Sequence, residues 1–132
     1  MGSFTDYSEN KVLELIVGKT AFTTPAACLG ISTTTVTDAG GNVTEPNSNA
    51  GYARNVTSGA AWSAGSGGTI TNAVTVGFAT ANSAWGTIVD FTMCDSLALG
   101  NVTLYGTLSA SKTIAVGDNC AFAPGALVFT LT

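Results

Sequence analysis

The chain has 132 residues, 45% apolar and only 9% charged, with a formal net charge of −4 and no histidine. That length suffices for one domain, spanning 1–132, with a real hydrophobic core. The four cations, Lys11, Lys19, Arg54 and Lys112, are too scattered to track a phosphate backbone, so nucleic acid is excluded as a partner. No apolar run approaches the roughly 18–20 residues of a membrane span, and acids interrupt the N-terminal apolar stretch, so no membrane contact and no signal peptide are expected.

The first element is a helix over about 6–17. Asp6 with Glu9 three residues on has the spacing of a capping box. Val12, Leu13, Leu15 and Ile16, with Tyr7, make an apolar stripe expected to face the rest of the fold. Gly18 fits the position just past the last turn. Gly18-Lys19-Thr20 matches the tail of a phosphate loop, but Leu13 stands where the first glycine belongs. The fragment also follows a helix instead of opening one, so the dipole points the wrong way.

From Pro25 the texture changes to short β-branched runs punctuated by Gly, Ser, Thr and Asn. Strands are predicted at Ala26–Thr34, Tyr52–Val56, Thr69–Phe78, Thr87–Cys94, Val102–Ser109, Thr113–Val116 and Ala126–Leu131, with a shorter one at Cys120–Phe122. Val89, Phe91 and Met93 share the parity expected to face the core. Residues 37–51 carry no apolar pattern and are expected to form an exposed excursion. Period-two patterning with turns every 8–12 residues predicts an all-β fold: an antiparallel β-sandwich of jelly-roll type with one N-terminal α-helix.

Signals for catalysis are weak. Without histidine, Cys28, Cys94 and Cys120 lack the partner that a thiol nucleophile needs. They are expected to be reduced and mostly buried. Asp90 and Asp95 flank one strand and form the only conceivable carboxylate pair, better explained as a strand acid and a turn acid. Asp38 and Glu45 lack calcium-loop spacing. No enzyme activity, cofactor or metal is expected. Trp62 and Trp85 are expected in core or rim packing more than on a sugar platform. Tyr52 and Arg54 share a strand face, where Arg54 either stacks on a ring or pairs with an acid.

The ordered set "YSENKVLELIVGKTAFTTP", "TDAGG", "GYAR", "WGTIVDF" and "YGTLSASKTIAVGDNCAFAPGALVFTL" resembles a family of small tailed-phage virion proteins. Such proteins are often labelled tail fibre proteins, and some relatives look like jelly-roll cement or decoration proteins of phage capsids. The chain departs from the pattern in its cysteines and in a longer loop around Val43–Ala50. The resemblance implies a non-enzymatic virion structural protein made in the host bacterial cytoplasm. Lacking repeats or coiled coil, the chain suits a cement protein on the outer capsid surface, bridging capsomers of the major capsid protein. The alternative is a tail fibre or tail-associated receptor-binding module. A surface poor in charge favours association with itself, as dimer or trimer. Phe4, Tyr7 and Phe22, which flank the helix, with Lys11 on it and Lys19 just past it, are the candidate partner contacts.

Overall fold

The computed structural model describes residues 2–131. Its centre is made by two strands buried along most of their length, β2 (Ala27–Ser32) and β6 (Gly86–Cys94), paired antiparallel with Leu29 opposite Met93 and Ile31 opposite Phe91. Around them lie β1 (Gly2–Phe4), α1 (Asp6–Ile16), β3 (Asn55–Thr57), β4 (Thr69–Thr71), β5 (Val76–Gly77), β7 (Val102–Ile114), β8 (Ala121–Phe122) and β9 (Val128–Thr130). Seven strands form one curled sheet in the order β3-β2-β6-β7-β1-β9-β4, and β5 pairs with β8 in a second, two-stranded sheet. The fold is thus the predicted all-β, jelly-roll-like sandwich with one N-terminal helix. Its pairing is antiparallel except where β1 meets β9, Gly2 beside Phe129.

The core lies between the layers. Leu29, Ile31, Ile88, Phe91, Met93, Leu127 and Phe129 of the large sheet and its flanks meet Val76 and Phe122 of the small one. Phe91 stands edge-on to both Phe122 and Phe129, at centroid distances of 6.0 and 5.5 Å. Each such contact adds about 1 kcal/mol beyond area burial.

Several strand expectations need correction. Tyr52–Val56 narrows to Asn55–Thr57, which leaves Tyr52 and Arg54 ahead of the strand and not on it. Thr69–Phe78 is not one strand but two, β4 and β5, in different sheets. The break falls at Asn72, which is 1% exposed. Its amide donates to Val74 O and Ala123 O, and its Oδ1 accepts from Leu127 N. A buried amide with so many backbone partners ends one pairing and starts another. Next, Val102–Ser109 and Thr113–Val116 join as β7. The register jumps from Asp90 opposite Thr107 to Ile88 opposite Lys112, so the chain bulges over 108–111 instead of ending. The same irregularity places Ile88 in the core beside Phe91 and Met93, whereas Val89 is only half-buried. Finally, β1 falls outside every strand predicted from the sequence.

The helix also differs from expectation. Its N-cap is Thr5, not Asp6, and no side chain caps it. Thr5 is fully buried, and its hydroxyl donates to Val102 O at 2.6 Å while its N–H donates to Thr103 O at 3.1 Å. The capping hydroxyl is taken by β7. That anchor fixes the rotation of α1: Ser8 is buried and Val12, one turn on, is half-buried. Leu13 and Ile16 therefore point outward, 62% and 75% exposed. The predicted stripe does not face the sandwich. The C-terminus matches expectation. Gly18 has φ +72°, Lys19 N–H donates to Glu14 O and Gly18 N–H donates to Leu15 O, which is a Schellman closure.

Candidate functional site

Three of the five candidate contacts converge. Tyr7 and Lys11, one turn apart on α1, and Phe22, from the coil after it, line one open hollow of about 410 Å³. The coil also brings Thr23 and Thr24 to its wall, and Asp95, just past β6, closes another side. Lys11 Nζ sits 6.0 Å from the Tyr7 ring centroid and 3.7 Å from Glu14 Oε2. Both are loose contacts for an ammonium group, which can still turn to a ligand. Asp95 is held more firmly: its two oxygens accept from Asn101 N and Nδ2 at 2.7 and 2.9 Å. Each oxygen keeps a further lone pair. Sequence reasoning missed Asp95 and the two threonines here, because only the fold brings the end of β6 beside the coil that follows α1.

The other two candidates lie elsewhere. Phe4 borders an apolar hollow of about 300 Å³ on the sheet with Ile70, Leu104 and Phe129. Lys19 lies past the helix end, 71% exposed, with Nζ 3.7 Å from Glu14 Oε1.

A second polar cluster was hidden in the supposed excursion. The segment 37–51 does not hang free. It brings Glu45 against the outer face of β2 and β6, where Cys28, Gly30, Ser32, Asp90, Thr92 and Cys94 are buried. Glu45 Oε1 accepts from Tyr52 OH at 2.6 Å and from Arg54 Nε at 2.9 Å, and Oε2 accepts from Arg54 Nη2 at 2.8 Å. Of the two open readings of Arg54, it takes the ion pair. Burial pushes the Glu45 carboxyl up, but the Arg54 and Tyr52 hydrogen bonds and the Arg54 charge outweigh it and hold it below the usual range. Tyr52 is pushed far up by burial and then by Glu45. Arg54 Nη1 donates to Ser96 O and Leu99 O at 2.7 and 2.8 Å. The loop after β6 is thereby clamped with Leu99 at its tip, 87% exposed and at φ +58°. Central strands covered on both faces leave no room for a polar excursion to float, which is the physical reason for the difference.

The remaining candidates have structural places. Asp90 is fully buried, with Oδ2 accepting from Val36 N at 2.7 Å. Trp85 Nε1 donates to Ala50 O and Trp62 Nε1 to Thr57 Oγ1, so both indoles pack as expected. The cysteines are free thiols, Cys28 and Cys94 buried and Cys120 half-buried. Burial raises all three thiol pKa values. Among the described residues no cluster of three or more His, Cys, Asp or Glu side chains gathers to hold a metal. Among them, no helix is long and apolar enough to cross a membrane.

The family model described as "Podophage GP4 fiber I protein gp80" matches residues 3–130, nearly the whole chain. No curated protein matches the chain.

Proposed function

Because the chain belongs to the podophage fibre family typified by the GP4 fiber I protein gp80, and is therefore a phage virion structural protein of fibre type, we propose that it serves as a tail-associated fibre module. The single observation that carries this reading is the family match over residues 3–130. It favours the fibre role over the capsid-cement role expected from the resemblance and the lack of repeats or coiled coil. The geometry is compatible. One packed core lies between the sheets, while the hollow beside α1 and the clamped Leu99 tip remain at the surface for contact. A protein of this kind works by binding and display, without catalysis. Self-association, as dimer or trimer, belongs to the proposal, since a 13.2 kDa sandwich reaches only a short distance from the particle by itself.

Immunogold labelling of intact virions tests it. Gold at the tail or on fibres is the expected outcome. Gold spread over the head would overturn the fibre reading and restore the capsid-cement alternative.

A further inference from the structure

We propose that the hollow between α1 and the coil that follows it is a saccharide subsite, which takes a neutral hexopyranose unit of a surface glycan. This deepens the fibre reading and rests on it.

The observation is a juxtaposition. Two aromatic residues, Tyr7 and Phe22, line one cavity of about 410 Å³ together with Thr23, Thr24, Lys11 and Asp95. A pyranose ring has the matching character. One of its faces is a patch of C–H bonds, which stacks on an aromatic ring. Its rim is a row of hydroxyls, each able to donate and accept. Asp95 is the acceptor for a pair of sugar hydroxyls, and it is already oriented by Asn101, so little ordering is left for binding to do. Lys11 is the donor for a ring or hydroxyl oxygen, and its weak hold on Glu14 at 3.7 Å leaves it free to swing.

Charge narrows the ligand class. An anionic sugar would meet Asp95, with Glu14 beside Lys11. A cationic group would meet Lys11. Opposite charges around one hollow suit a neutral ligand with many dipoles. A purely apolar ligand would leave both charges desolvated and unpaired. The size also fits: the volume lies within the range of small-molecule sites. The hollow is open, as the end or side branch of a larger glycan requires.

The test uses the full chain on an array of neutral hexose oligosaccharides beside uronate- and sialate-bearing ones. Binding to at least one neutral oligosaccharide is expected, with weaker or no binding to its acidic counterparts. Phe22→Ala and Asp95→Asn should each weaken that binding about tenfold or more. Val116→Ala, at an exposed position just past β7 and away from the hollow, should not change it. Because Asp95 also holds Asn101, the thermal midpoint of each variant is measured alongside. Amide shifts of Lys11, Thr23 and Thr24 on titration with the neutral oligosaccharide give a readout without mutation. Absence of neutral binding, a preference for acidic glycans, or shifts confined to other surfaces would each overturn the proposal. Failure here stays distinguishable from failure of the fibre reading. Gold on fibres with no neutral binding removes the subsite alone, whereas gold on the head with neutral binding at these residues removes the fibre role alone.

Discussion

Arg54 and Glu45 meet fork to fork, Nε to Oε1 at 2.9 Å and Nη2 to Oε2 at 2.8 Å, while the remaining nitrogen, Nη1, holds two carbonyls of the loop after β6. One guanidinium therefore ties three segments together: the 37–51 cover, the strand edge at β3, and the loop carrying Leu99. A lysine offers the charge but not the fork. Arg54→Lys is expected to cost about 2 kcal/mol, read as a lower urea midpoint with an unchanged slope. Amide exchange in 96–100 should accelerate beyond the global change. A loop that exchanged as slowly as before would show that the clamp is not what orders it.

The same pair sets an acid dependence. The folded-state Glu45 carboxyl lies below its usual range, so between the folded and unfolded values the unfolded chain binds more protons, and stability rises with pH there. The contribution is complete above the ordinary glutamate value of about 4.3 and is lost as pH falls through the lowered folded value. Glu45→Gln should remove this component. The gap in unfolding free energy between parent and variant, wide at pH 7, should narrow as the pH falls below about 4.

The centre of the fold was legible in the sequence because β2 and β6 carry their own pattern: apolar residues recurring within short runs bounded by turn signals. What was illegible depended on partners far along the chain. Gly2–Phe4 is too short to show a period, and it becomes a strand only because β7 and β9 flank it. Asn72 stood in an alternating run like any outward polar residue, yet it is nearly fully buried and bonded to the backbone of three other residues. Glu45 gave no sign of covering a sheet, because a polar residue that packs through an ion pair leaves no hydrophobic signal. At the hollow, Tyr7, Lys11 and Phe22 were legible as neighbours of the helix. Asp95 was legible only as an acid at a strand end.

The orientation of α1 can be checked by contrast. Ile16 is 75% exposed and Phe91 is 2% exposed. Ile16→Glu should change unfolding free energy by no more than about 0.5 kcal/mol. Phe91→Ala, which empties the space between Phe122 and Phe129, should cost about 3–5 kcal/mol. Comparable losses at the two positions would mean that the helix stripe faces inward after all.

The thiols should react in order of access. Cys120 is half-buried, whereas Cys28 and Cys94 lie opposite each other across β2 and β6 and are buried at 0% and 1% exposure. Under native conditions a thiol reagent should label Cys120 first and slowly, since burial raises its pKa. The other two should label only at the rate of unfolding. Native labelling of Cys28 or Cys94 ahead of Cys120 would contradict the placement of β3 and the 37–51 cover.

The insertion of β1 between β7 and β9 has a consequence for the order in which the protein is built. Gly2 sits against Gly106 on one side and Phe129 on the other, so both neighbours of the first strand emerge from the ribosome long after it does. The β1 residues must wait, unpaired, until β7 and β9 have both been synthesised. A slot so narrow that a Cβ on Gly2 would fall 2.6 Å from the Phe129 ring and from Tyr105 O admits only a bare backbone at that point. Completion of the sheet is then a late, long-range event, slow compared with the local pairing of β6 and β7. Until it happens, β7 and β9 both expose unpaired backbone. In a crowded host cell, that interval is when neighbouring nascent copies could take the vacant place.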